Sequence, residues 1–147
     1  MKSLSEARIA GYLAYSVIDK KCKVDVNKPG KQVSKETIQG QIEFKNVNFC
    51  YPTRDDVIVM NNFSCIFEKG KTTALVGPSG SGKSTVIQLI ERFYNPMDGQ
   101  ILLDGEPIET LDLRSMRRNM GYVGQEPVLF NTTIKENMLF ANPAATD

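Results

Sequence analysis

The sequence predicts an α/β domain: a core built on a strand, a glycine-rich loop and a helix, carrying a subdomain of antiparallel strands. Three observations carry that prediction. The apolar run Thr72-Thr73-Ala74-Leu75-Val76 ends where a glycine-rich loop begins, which reads as a buried parallel strand. After the loop Val86, Leu89, Ile90 and Phe93 recur at helical spacing while Gln88, Glu91 and Arg92 fall on the other side, so a helix to about Arg92 covers one face of a sheet. On either side of this unit lie apolar segments of strand length separated by turn residues. With 147 residues, 41% hydrophobic and 24% charged, and a formal net charge of +1, the composition is that of one ordinary soluble globular domain. A near-neutral balance gives no reason to expect nucleic acid as a partner.

The elements follow in order. Residues 3–18 carry Ala7, Ala10, Leu13, Ala14, Val17 and Ile18 at helical spacing, with Glu6 and Arg8 in the first turns, and read as a helix with one apolar side. Its uncharged stretch, 9–18, is too short to cross a bilayer, and the early charges make a poor signal peptide. Residues 20–40 are polar and rich in charge, contain Pro29-Gly30 and show no periodicity, so they read as a linker with a domain boundary near Gly40. From Gln41 the pattern turns to strands: Ile42, Phe44, Val47 and Phe49 in one, 57–60 in a second, and 63–67 in a third. In the third, Phe63, Cys65 and Phe67 alternate with their neighbours as an antiparallel strand with one buried face requires. Lys69-Gly70 turns the chain into the apolar run before the loop, and Asn95-Pro96 stops the helix after it. Beyond it, 99–103 reads as a strand, Asp104-Gly105 as a tight turn, 111–118 as a short helix begun by Thr110 or Asp112, and 120–123 as a strand ending in Gly124-Gln125.

Cys22, Cys50 and Cys65 are odd in number and widely spaced, which argues against a disulfide framework, fits a reducing compartment, and suggests burial as small apolar residues. Histidine, the commonest proton shuttle near neutral pH, is absent from the chain.

The loop itself carries the chemistry. Gly77-Pro78-Ser79-Gly80-Ser81-Gly82-Lys83-Ser84-Thr85 fits the pattern G-x-x-x-x-G-K-[ST], so the chain should bind a nucleoside triphosphate. The glycines let backbone N–H groups turn inward around an anion, and the helix N-terminus adds unpaired donors and its positive dipole end. Lys83 would reach the β- and γ-phosphates, and Ser84 would offer its hydroxyl to Mg2+.

Phe49-Cys50-Tyr51-Pro52-Thr53-Arg54, the phosphate loop and Val123-Gly124-Gln125-Glu126-Pro127-Val128-Leu129-Phe130 occur in this order. Together they resemble the nucleotide-binding domain of ABC transporters, and the wording is most similar to the multidrug-resistance-like exporters of subfamily B. The resemblance runs from about Glu6 to the C-terminus. It implies a P-loop NTPase (RecA-like) core with an antiparallel β subdomain, truncated before the helical subdomain. Tyr51 would then stack on the adenine ring of ATP, an aromatic platform worth on the order of 1–3 kcal/mol. Gln125 would complete the Mg2+ shell and sense the γ-phosphate; relatives commonly have Ser or Pro before it, and Gly124 loosens that loop. Residues 1–19 would be the helix following the last transmembrane segment, and 41–147 the N-terminal part of the nucleotide-binding domain at the cytoplasmic face of a membrane. Thr133 would cap a short helix holding Ile134, Met138 and Leu139, in a region that faces the coupling helices in relatives. The implied partners are the transmembrane domain of the same transporter and a second nucleotide-binding domain in a head-to-tail dimer.

The family pattern further requires an L-S-G-G-Q signature, an acidic motif of four apolar residues and Asp, a catalytic Glu and a switch His, none of which occurs in the 147 residues. The chain therefore supplies no catalytic residue and is expected to hydrolyse ATP negligibly alone. It reads as a fragment whose sheet lacks central strands, with independent stability in doubt. Two other readings stand beside this one. A different P-loop enzyme is the first: a GTPase needs an N-K-x-D motif, which does not follow Ser84, while a small-molecule kinase needs an acceptor pocket and an Arg-bearing lid, which Arg114, Arg117 and Arg118 could mimic, though they sit more naturally on a solvated helix face. A non-catalytic nucleotide-binding module is the second.

Overall fold

Phe44, Val47 and Phe49 all reach the core from one strand although their spacing is not a strict alternation, because Asn46 takes a positive φ of 50° and inserts a bulge between the first two. Asn tolerates that left-handed conformation better than most residues, and the extra residue returns the following side chains to the buried face. Asn62 on the facing strand has the same φ of 50°, and the two asparagines are joined by Asn46 Nδ2 donating to Asn62 Oδ1 at 2.7 Å. The computed structural model describes residues 2–20, 22, 24–126 and 128–141. Its elements are α1 (Lys2–Ile18), β1 (Ile42–Tyr51), β2 (Arg54–Phe67), α2 (Lys83–Ile90), β3 (Asp98–Leu103), β4 (Glu106–Pro107), α3 (Leu113–Arg118) and α4 (Ile134–Ala141).

The strands form one sheet in the order β2-β1-β3-β4, every pair antiparallel. The two segments expected at 57–60 and 63–67 are a single strand, β2, continuous across the Asn62 bulge. Leu89 of α2, Leu113 and Met116 of α3 and Ile101 of β3 join Phe44, Val47 and Phe49 in one buried cluster. Asp112 begins α3, its carboxylate accepting from the Ser115 N–H at 2.8 Å.

Two expected strands do not form. Residues 71–76 are coil, with Leu75 half-buried and Val76 89% exposed, and 120–124 is likewise coil, with Val123 94% exposed. A parallel strand is held by ladder bonds to neighbours on both sides, and neither segment has such neighbours among the described residues. The fold class is nevertheless mixed, with the phosphate loop and its helix α2 set against an antiparallel sheet.

The expected sidedness of α2 also fails at its end. The helix stops at Ile90, and Arg92, at φ 52°, turns the chain out of helical phase. Glu91 and Arg92 are therefore buried at 9% and 5% exposure, while Phe93 is 48% exposed. Arg92 donates to Ile108 O and Asn95 Oδ1; burial, with the Arg117 charge adding to it and Glu109 opposing, lowers its pKa from the usual arginine value. Arg117 donates from Nε to Glu91 O at 2.9 Å and from Nη2 to Arg92 O at 3.2 Å, with its guanidinium 5.0 Å above the Phe93 ring. It thereby satisfies carbonyls that a helix end leaves unpaired, and is not a residue of a solvated face.

Residues 24–39, within the expected linker, lie along the domain. Val24, Val33 and Ile38 pack against the core, Lys31 exchanges backbone bonds with Thr110 and Asp112 at 2.9 Å each, and the Asp104 carboxylate accepts from the N–H groups of Gln39, Gly40 and Gln41. In α1, Ile9, Tyr12, Leu13, Tyr15, Val17 and Ile18 are all exposed, and no described helix is long and apolar enough to cross a membrane. The cysteines are free; Cys50 is buried and Cys65 half-buried, but Cys22 is exposed, contrary to the burial expected of all three.

Candidate functional site

The loop 77–82 feeds directly into α2, and Gly82 is the residue before its first turn, at φ 84° with no side-chain cap. That left-handed conformation suits glycine; a Cβ there would only touch Val59 Cγ1, at 3.4 Å, so the backbone angle and not crowding is what favours it. Val86 N–H donates to Gly82 O at 3.1 Å, so the amides of Lys83, Ser84 and Thr85 are the unpaired first-turn donors of α2. They add the positive end of the helix dipole at the loop.

Lys83 is the cation of this loop. Its Nζ donates to Gly77 O at 2.9 Å, Pro78 O at 2.6 Å and Ser81 Oγ at 3.2 Å, which holds the ammonium over the loop that it follows in sequence. Ser84 is exposed at the helix start and Thr85 is buried at 4% exposure.

Tyr51, at the end of β1, comes to the same place. Its hydroxyl lies 2.8 Å from Thr85 Oγ1 and 2.8 Å from Gln88 Oε1, both on α2. Its ring stands nearly perpendicular to those of Phe49 and Tyr94, at 77° and 88° with centroids 5.1 and 5.4 Å away. A cavity of about 410 Å³ is lined by Tyr51, by Gly80, Gly82, Ser84 and Thr85 of the loop and first turn, and by Arg54, Val57 and Val59 of β2. The volume falls within the range of small-ligand sites.

Of the residues expected from sequence, Tyr51, Gly80, Gly82, Ser84 and Thr85 line this cavity together. Gly77, Pro78, Ser79 and Ser81 form the exposed loop that Lys83 spans. Gln125 lies in the exposed coil before α4 and is not among the lining residues. Arg114 and Arg117, candidates for a kinase-like lid, are engaged elsewhere, Arg114 with Asn27 Oδ1 at 2.7 Å and Arg117 at the end of α2; neither they nor Arg118 line the cavity. Sequence reading missed Arg54, Val57 and Val59 as wall, and Gln88 as a partner of Tyr51. The alternation of Val57 and Val59 signalled a shared face, but nothing in the sequence told which cavity that face borders.

Residues 60–147 match the family described as ABC transporter. The chain is 46% identical over 144 residues to ABC transporter B family member 2 of Dictyostelium discoideum, covering 98% of this chain and 10% of that protein. It is 49% identical over 144 residues to ABC transporter B family member 19 of Arabidopsis thaliana, covering 98% of this chain and 11% of the relative. Among solved structures, that of a bacterial Atm1-family ABC exporter with ATP bound matches with a TM-score of 0.82 and 33% identity, over 99% of this chain and 25% of the other. The chain thus spans about a tenth of the length of the curated relatives it matches.

Proposed function

This chain belongs to the ABC transporter family, with B-family members as relatives, and on that premise we propose that it forms the ATP-binding half-site of an exporter's nucleotide-binding domain. The observation that carries the proposal is that Tyr51 and the phosphate loop share one cavity, of about 410 Å³. An aromatic ring for the base and, in the same cavity, loop and first-turn residues for the phosphates, with Lys83 held over that loop, match the two parts of a nucleotide.

In this reading Tyr51 stacks against the adenine, and the loop amides with the first turn of α2 receive the phosphates. Lys83 exchanges its carbonyl partners Gly77 and Pro78 for phosphate oxygens, a stronger charge-assisted bond. Ser84 offers its hydroxyl to Mg2+ and Gln125 its amide oxygen, the metal neutralising phosphate charge. The 147 residues contain no histidine and no L-S-G-G-Q segment, so this polypeptide binds without appreciable turnover, and hydrolysis requires a second nucleotide-binding domain across a head-to-tail interface. A transmembrane domain, met at the cytoplasmic face of the membrane, is the partner to which binding and hydrolysis would be coupled for export.

Calorimetric titration of the 147-residue chain with Mg-ATP tests this, beside Lys83→Ala and with circular dichroism confirming that both are folded. We expect binding in the micromolar to millimolar range, about −8 to −4 kcal/mol, lost in Lys83→Ala, with no turnover above background. A folded chain that binds no ATP overturns the proposal.

A further inference from the structure

The phenol of Tyr51 has one proton and Gln88 Oε1 is an acceptor only. With Tyr51 donating to Gln88 Oε1 at 2.8 Å, its oxygen accepts the Thr85 hydroxyl proton at 2.8 Å. The hydroxyl is thus engaged with α2 as donor and acceptor, and the ring of Tyr51 is the part left for a ligand in the cavity it lines. The two partners stand on α2, the helix whose first turn bears Lys83 and Ser84. Along the chain the platform and the phosphate end are separated by all of β2 and the coil that follows it. Through these hydrogen bonds they are joined by a single rigid helix.

We propose that Gln88, with Thr85, is a positioning residue that fixes the aromatic platform of the base site relative to the phosphate loop, so that base affinity depends on Gln88 while phosphate affinity does not. The proposal rests on the nucleotide-binding reading above. The near-perpendicular rings of Phe49 and Tyr94 pack beside Tyr51, and the hydroxyl at the far end of the ring is where its hydrogen bonds act against rotation and tilt. The pair of hydrogen bonds closes that freedom, which otherwise is lost on each binding event. Because only the ring face is offered, the effect is the same for every purine.

The test is titration of the chain with Mg-ATP, Mg-GTP and Mg-tripolyphosphate, the last having phosphates and no base. Gln88→Met keeps the side-chain length and removes the acceptor; Tyr51→Phe keeps the ring and removes both hydrogen bonds. We expect Gln88→Met to weaken ATP and GTP by the same factor, about three- to tenfold, on the scale of one hydrogen bond, and to leave tripolyphosphate unchanged. In a Tyr51→Phe background, Gln88→Met should have no further effect on ATP, because both changes break the same bond. Unchanged ATP binding, equal weakening of tripolyphosphate, unequal effects on ATP and GTP, or additive losses each overturn the proposal and leave the nucleotide-binding reading standing. Should Gln88→Met not fold, Tyr51→Phe carries the same comparison: an ATP affinity equal to that of the parent chain overturns the proposal. A folded parent chain that binds none of the three ligands overturns the functional reading itself.

Discussion

A Cβ placed on Gly99 would lie 2.4 Å from Asn46 O and 2.5 Å from Lys45 O, and the residue sits at φ 83°. Gly105, at φ 84°, has nothing within 4 Å of the same position. The pair separates conformational strain from steric exclusion: Gly105→Ala should cost about 1–2 kcal/mol, the left-handed penalty alone. Gly99→Ala must in addition push β3 away from the bulge in β1, and should cost about 2–4 kcal/mol more. Urea unfolding of both variants checks this, and equal midpoints would refute the steric account. The phosphate-loop residues were legible one by one because their chemistry fixes their spacing. Gly99 was readable only as the start of a strand, since its constraint comes from Asn46, which is distant in sequence. Gln88 was invisible for a related reason: helical periodicity assigns it a side of α2 but not the phenol that reaches across from β1.

Among the elements, α4 has a start written in four residues. The Thr133 hydroxyl accepts from Glu136 N–H at 3.2 Å, and the Glu136 carboxylate accepts from Thr133 N–H at 3.0 Å and from the Thr133 hydroxyl at 2.9 Å, a reciprocal capping box. Thr132 donates to the same carboxylate. These bonds favour the ionised form, the Thr133 backbone N–H first and its hydroxyl second, and hold Glu136 below the ordinary glutamate value. A folded carboxyl that titrates lower than its unfolded counterpart stabilises fully above the ordinary range and loses its effect as pH falls through the folded value. The amide shifts of Thr133 and Glu136, followed by NMR, should therefore move together on the acid side of the ordinary glutamate range. In Glu136→Gln that transition should be absent; a transition that persists in the variant would disprove the box. Elements with such local instructions were legible: α3 from Asp112, α4 from Thr133, β3 and its Asp104-Gly105 turn. The segments 71–76 and 120–124 show the limit. Their apolar runs are strand-like, but a parallel strand is a relation between segments and not a property of one, and the strands among the described residues pair only in antiparallel fashion, the one parallel bridge, Lys31 with Leu111, lying elsewhere.

Across the whole molecule the consequence is an uneven distribution of stability. Phe44 and Ile101 are paired partners in β1 and β3, buried at 1% and 3% exposure in the central cluster, and their amides open only when most of the sheet does. Val76 and Val123, on the two unpaired segments, are 89% and 94% exposed, and their amides have no ladder to break. Hydrogen exchange reports this difference directly, because protection follows the free energy of the smallest opening that frees each amide. We expect the amides of 72–76 and 121–124 to exchange within about tenfold of the rate of an unstructured peptide, while those in the centre of β1 and β3 are slowed by about a thousandfold or more. The phosphate loop lies between these regimes, since it hangs from an unpaired segment at one end and from α2, packed through Val86 and Leu89, at the other. Mg-ATP bound across Tyr51 and the loop would draw both ends together. The amides of 83–86 should then slow on nucleotide addition by more than those of β3, which the ligand does not touch. Uniform protection across 72–76 and β1 without ligand would show that the strand before the loop is paired after all, and would overturn the account of the fold given by its antiparallel sheet.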